Sequence, residues 1–170
     1  MSFIHVCSLA RIDMAVEETG ARSMVTLLQA GTAITRPAAI GRDRHLILSL
    51  SDIVEPQEGH IPPGAEHVGK LLDFANDWDR GEPLLIHCFA GVSRSTAAAF
   101  IVACALNPKR QELDIARSIR AASPTATPNA LLVAVADRIL ARRGRMSEAI
   151  ETIGRGETCV EGIPFSLALA

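Results

Sequence analysis

Apolar positions along the chain come in two rhythms. Short, mostly apolar runs at Phe3–Leu9, Arg44–Leu50 and Leu84–His87 read as strands. Longer stretches with apolar residues three and four apart read as helices. The clearest spans Ala65–Asp79, where Val68, Leu71, Leu72, Ala75 and Trp78 share one face and Glu66, Lys70, Asp73 and Asp77 lie elsewhere. Ala15–Gln29, with Gly31 just past its end, reads as an earlier helix, and Ser93–Leu106 as a buried one ended by Asn107-Pro108. Further helices are predicted over Gln111–Ala121, from Pro128 to about Arg143 with Thr127 as cap, and over Ser147–Ile153. Glu55–Gly64 is a loop rich in Pro and Gly. The apolar tail Ile163–Ala170 is too short to span a bilayer and is expected to pack on the body or on a second copy. Strands alternate with helices and helices then dominate. This order predicts an α/β fold, one sheet with helices on both faces.

The 170 residues predict one domain in three stretches: 1–83 with the first strands and helices, 84–106 around a central loop, and a helical part over 107–170. At 48% hydrophobic residues the chain has enough material for a core. No run of 18 apolar residues and no basic-then-apolar N-terminal segment is present, so a cytoplasmic protein with no membrane contact is expected. Cys7, Cys88, Cys104 and Cys159 show no metal-site spacing, and neither do His5, His45, His60 and His67. No metal or other cofactor is expected. The net charge of −2 hides an asymmetry, because residues 1–85 carry seven basic and twelve acidic side chains and residues 86–170 carry ten and seven. No basic block with interleaved aromatics appears, which argues against nucleic acid as a partner. Fifteen of the seventeen basic residues are Arg and alanine is abundant, a composition that points to a GC-rich bacterial coding sequence.

The basic half holds the chemistry. In His87-Cys88-Phe89-Ala90-Gly91-Val92-Ser93-Arg94-Ser95 a cysteine and an arginine stand six positions apart, between an apolar strand and an alanine-rich helix. A tight loop running into a helix N-terminus turns backbone N–H groups inward and adds the positive end of the helix dipole, so an anion fits there. Cys88, at the base of that site, is expected to be favoured as a thiolate. A thiolate beneath a bound phosphate is the starting geometry for phosphoryl transfer to sulfur.

This stretch resembles the His-Cys-x5-Arg-Ser/Thr signature of cysteine-dependent protein tyrosine phosphatases, and its Ser-Arg-Ser ending is most similar to the dual-specificity branch. Arg120-Ala121-Ala122-Ser123-Pro124-Thr125-Ala126-Thr127-Pro128-Asn129 resembles a second segment of that branch. The two matches cover about residues 85–130, while the first 80 residues match only in layout. The resemblance implies an α/β phosphatase fold and hydrolysis of phosphate monoesters without a metal.

On this reading Cys88 is the nucleophile and Arg94 the fixed cation, whose planar fork suits two phosphate oxygens. The N–H groups of Phe89, Ala90, Gly91, Val92, Ser93 and Arg94 form the phosphate cradle. Gly91 serves either a backbone conformation that side chains disfavour or a simple lack of space. The resemblance implies that the Ser95 hydroxyl bonds the Cys88 sulfur and eases its departure, and that His87 orders the loop. His87 leaves its strand on the side opposite Cys88 and is no general acid. That role falls in the family to an upstream aspartate on a mobile loop. Asp52, 36 residues before Cys88 and just past a strand, is the first choice, with Asp43, Glu55 and Glu58 as alternatives. Asn129 either braces the phosphate loop or simply starts a helix beside Pro128.

The loop interior, Phe-Ala-Gly-Val-Ser, carries no Lys or Arg, unlike relatives that cleave inositol polyphosphates or phosphoinositides. Phosphotyrosine in proteins is therefore the first substrate, with phosphoserine, phosphothreonine or a small phosphate monoester next and inorganic phosphate as product. Two other readings stay open: a catalytically weak phosphate- or phosphopeptide-binding module, and another cysteine-loop enzyme such as an arsenate reductase or a sulfur transferase. A disulfide of Cys88 with Cys7, Cys104 or Cys159 would make a redox switch.

Overall fold

The computed structural model describes residues 1–169; Ala170, the last residue of the predicted tail, lies outside them. The elements run β1 (Ser2–Ser8), α1 (Ile12–Thr19), β2 (Ser23–Leu28), β3 (His45–Ser49), α2 (Ala65–Asp77), β4 (Leu84–Cys88), α3 (Arg94–Leu106), α4 (Glu112–Ala122), α5 (Ala130–Ile139), α6 (Arg145–Ile153) and β5 (Phe165–Leu169). The sheet order is β3-β2-β4-β1-β5. The first four strands are parallel, and β5 pairs antiparallel with β1.

Burial explains the apolar runs. Every residue of β2 and β4 is buried, because both strands lie inside the sheet with helices on each face. Ile4, Val6, Leu84, Ile86 and Cys88 face one core together with residues of α2 to α6. Cys7, Met24 and Leu85 face the other, beneath Ile12 and Val16 of α1. Helix α3 fills the larger core, with eleven of its thirteen residues buried, which is why its sequence shows no polar face.

Parallel strands bring their carboxyl ends to one side. Ser8 of β1 is in register with Cys88 of β4, and Leu28 of β2 with Ser49 of β3. The segments that follow each strand therefore gather at one edge, where ligand sites form in open α/β sheets.

Four expectations are corrected. The helix predicted over Ala15–Gln29 stops at Thr19, where Gly20 takes a left-handed conformation (φ 71°) that ends it. Ser23–Leu28 is then the buried strand β2. Asn129, not Thr127, caps α5: its side chain accepts the Leu132 N–H at 3.0 Å. That helix ends at Ile139, because Arg142 turns back to bond Glu112 at 2.9 Å and the Cys104 carbonyl at 2.8 Å. Trp78 is buried but stands just past α2, its indole donating to the Glu82 carbonyl at 3.0 Å. Up to Leu169, the tail is β5, which closes the sheet edge beside β1.

Candidate active site

The chain leaves β4 at Cys88 and enters α3 at Arg94, so the five residues Phe89–Ser93 make the whole turn. Their carbonyls are held from outside. Leu9 N–H donates to the Phe89 carbonyl (3.1 Å), Gly162 to Ala90 (2.8 Å), Thr127 to Val92 (2.9 Å) and Asn129 to Ser93 (3.1 Å). In a trans peptide the C=O and the following N–H point in opposite directions. With these carbonyls turned outward, the N–H groups of Ala90, Gly91, Ser93 and Arg94 turn inward. Inward amides of this kind make a nest suited to an anion.

Gly91 meets both demands at once. Its φ is +72°, and a Cβ there would lie 2.8 Å from the Cys7 carbonyl carbon and 2.9 Å from the Ser8 nitrogen. Its N–H donates to Cys88 Sγ at 3.3 Å, and Ser95 Oγ lies 3.1 Å from the same sulfur. Cys88 is thus a buried sulfur met by two hydrogen-bond groups at the floor of the nest.

Arg94 is buried, and one arm of its guanidinium donates to the Leu50 carbonyl at 3.0 Å. Its Nε is buried with no protein partner among the described residues. A buried guanidinium N–H without a partner is costly unless an acceptor meets it, and an anionic oxygen is the acceptor that suits it.

Asp52 reaches this loop. Its Oδ1 accepts from Ser93 Oγ at 2.6 Å and from Asn129 Nδ2 at 2.9 Å. Asp43 sits in the turn before β3, at the opposite end of that strand. Glu55 and Glu58 are exposed on the following loop, with no bond to residues 88–95 among the described residues. Of the four acidic candidates, only Asp52 is bonded to the Cys88–Arg94 loop.

His87 is wholly buried and faces away from Cys88. Its Nδ1 lies 3.1 Å from the Cys88 carbonyl, and its Nε2 lies 2.7 Å from Thr26 Oγ1. Burial is the main reason its pKa falls to about 4, so the ring is neutral near pH 7. Cys7, one strand over, points into the α1 core, away from Cys88, and burial pushes its thiol up to about 12. Cys104 is wholly buried in α3, its thiol likewise raised to about 12 chiefly by burial. All four cysteines are free among the described residues.

Beside the loop runs a groove of about 840 Å³, whose lining includes Asp52, Val92 and Ser93 and also Arg155, Thr158 and Cys159. The segment after α6 forms one wall and straps the site. It bonds the loop through Gly162, and Glu161 accepts from Ser8 Oγ (2.7 Å) and Arg11 Nε (2.8 Å). Arg120 anchors the start of the strap, donating to the carbonyls of Ala126, Ile153 and Gly154. Sequence reasoning missed Thr26, Leu50, Glu161 and Gly162. All four act across long sequence separations, two of them through backbone groups, and leave no local signal.

No family model matches the chain, and no curated protein sequence matches it. Solved structures do. The Cydia pomonella PTP-2 phosphatase superposes with a TM-score of 0.62 at 18% identity, over 79% of this chain and 84% of that one. DUSP15 gives 0.61 at 18% identity, over 91% and 94%. PTPMT1 gives 0.58 at 16% identity, over 83% and 94%. The five-stranded sheet with helices on both faces is the fold of these tyrosine and dual-specificity phosphatases.

Proposed function

We propose that this protein hydrolyses phosphate monoesters, phosphotyrosine in proteins first, through a cysteinyl-phosphate intermediate. One observation carries the reading. An inward N–H and a hydroxyl converge on the buried Cys88 sulfur, beneath a nest that also holds the unpartnered Nε of Arg94.

The phosphate oxygens sit on the loop amides and Arg94, and Cys88 Sγ faces phosphorus. The S–P bond forms as the ester P–O bond breaks. The leaving oxygen takes a proton from Asp52, whose Oδ2 is left to carry it while Oδ1 is held by Ser93 and Asn129. Water then attacks phosphorus and gives its proton back to Asp52. The S–P bond breaks, phosphate leaves, and Ser95 donates to the departing thiolate. The loop groups are positioned beforehand and reorganise little as charge moves.

The uncharged loop interior favours a monoester on a protein. The adjoining groove gives chain flanking the phosphorylated residue a place to lie. PTPMT1 has been solved in complex with PI(5)P, which makes that lipid the comparison substrate. Free thiols fit a reducing compartment, and we place the protein in the cytoplasm. The test is hydrolysis of p-nitrophenyl phosphate with chelator present, followed by phosphotyrosine, phosphoserine and PI(5)P substrates. Activity that survives chelation and is lost in Cys88→Ser supports the reading. A folded, reduced wild type that binds phosphopeptide without turnover returns it to a binding module.

A further inference from the structure

We infer that Thr26 and His45 are positioning residues for Cys88, acting through His87 in a one-way hydrogen-bond chain from the sheet edge to the loop. The inference rests on the proposed use of Cys88 as nucleophile.

Donor and acceptor roles along this chain are fixed by elimination. The Cys88 carbonyl can only accept, so His87 Nδ1, 3.1 Å away, carries the ring proton. A neutral imidazole has one N–H, so His87 Nε2 is bare and must accept. Its partner is Thr26 Oγ1 at 2.7 Å. The Thr26 hydroxyl has one proton and gives it to His87. His45 Nε2, also 2.7 Å from Thr26 Oγ1, must therefore donate. The direction is His45 to Thr26 to His87 to the Cys88 carbonyl.

The sheet register builds this chain. Thr26 of β2 stands opposite His87 of β4 on one face. His45 of the outer strand β3 pairs with Met24, two residues before Thr26, and so reaches it diagonally. The charged and titratable groups whose fields reach the chain are Arg94 and His45 at His87, with Cys7 across the register from it, and Arg36 at His45.

The consequence falls on the loop. The Cys88 carbonyl shares a peptide plane with the Phe89 N–H. Holding the carbonyl against His87 turns that N–H to the opposite side, toward the nest. Without the Thr26 hydroxyl, the bare Nε2 is buried unsatisfied. The ring keeps its proton on Nδ1, which still faces an acceptor, but loses the hydroxyl that holds it in place, so its grip on this peptide slackens.

The experiment reads the His87 tautomer by nitrogen NMR and the iodoacetamide alkylation rate of Cys88 by mass spectrometry of peptide 81–94. Wild type is expected as the Nδ1–H tautomer. Thr26→Val should keep that tautomer but shift the Nε2 nitrogen resonance as its donor is lost, slow Cys88 alkylation and lower kcat by about tenfold, one hydrogen bond's worth. Thr26→Ser should restore all three. His45→Leu should move them in the same direction, and His45→Gln, which keeps a donor, should restore them. An Nε2–H tautomer in wild type overturns the inference whether or not any variant folds. So does a folded Thr26→Val with wild-type alkylation and kcat. A wild type without phosphatase activity would refute the proposed function alone, because tautomer and alkylation are read without turnover.

Discussion

Asn129 donates its side-chain amide to Asp52 Oδ1 at 2.9 Å, across 77 residues of sequence. The same amide donates to the Ile53 carbonyl at 3.1 Å, the side-chain oxygen caps α5, and the backbone N–H holds the Ser93 carbonyl. One residue thus ties the Asp52 segment, the Cys88–Arg94 loop and a helix start together. Asn129→Ala should cost about 1–2 kcal/mol of stability as a lost cap, measured by urea unfolding. It should also slow turnover of phenyl phosphate, whose leaving group needs a proton. Asn129→Asp keeps the cap but sets a like charge beside Asp52, and should recover stability without recovering rate.

Asp52→Ala separates proton donation from the rest of the site. The rate on phenyl phosphate should fall by about 10²-fold or more, the usual worth of a general acid. The rate on p-nitrophenyl phosphate, a far better leaving group, should fall much less. Equal losses on both substrates would move the acid role to another group.

Gly91→Ala tests the close approach of the loop to β1. The added methyl would sit 2.8 Å from backbone and hold a left-handed φ. A cost of about 1–3 kcal/mol is expected from overpacking and strain. Phosphate should also lose its thermal protection of the fold, read by melting with and without phosphate.

His87 gives a pH dependence. Its folded pKa, lowered mainly by burial to about 4, lies below the ordinary value of 6.5. The unfolded state therefore takes up the proton first as pH falls. Stability from this group is full above pH 6.5 and is lost between 6.5 and about 4, by about 3 kcal/mol at roughly 1.36 kcal/mol per unit. His87→Gln should flatten that part of the urea stability profile.

Glu112 supplies a structural control away from the site. It is buried, and burial opposes its charge, yet bonds from Arg145 and Arg142 hold its carboxyl below the usual range. Glu112→Gln should destabilise the fold by about 2–4 kcal/mol through leaving Arg142 without its charge partner. With the fold intact, kcat should be unchanged, because the Glu112 carboxylate bonds Arg142 and Arg145 and not the loop.

The loop and its flanking strand and helix were legible in the sequence because they are local: Leu84–Cys88, five turn residues and Arg94–Leu106 are consecutive. Asp52 was legible because it lies just past a strand. Strand β2 was hidden because its apolar positions continue the spacing of α1, with Gly20 as the main break. The Thr26 link was invisible for another reason. Its partners lie 19 and 61 residues away on two other strands, and only the sheet register brings them together. The strap's contact with the loop is a backbone bond from Gly162, where a Cβ would lie 2.6 Å from the Gly91 carbonyl oxygen. Close approach of this kind leaves a glycine and no other mark.

The most direct measurement is an acid quench of the enzyme during turnover of a phosphotyrosine peptide, followed by mass spectrometry of peptide 81–94. This peptide should carry one phosphoryl group on Cys88, the adduct should build up in Asp52→Ala fed p-nitrophenyl phosphate, whose cleavage needs no acid while water attack lacks its base, and it should be absent in Cys88→Ser. Turnover with no adduct on Cys88 in either wild type or Asp52→Ala would contradict a cysteinyl-phosphate intermediate.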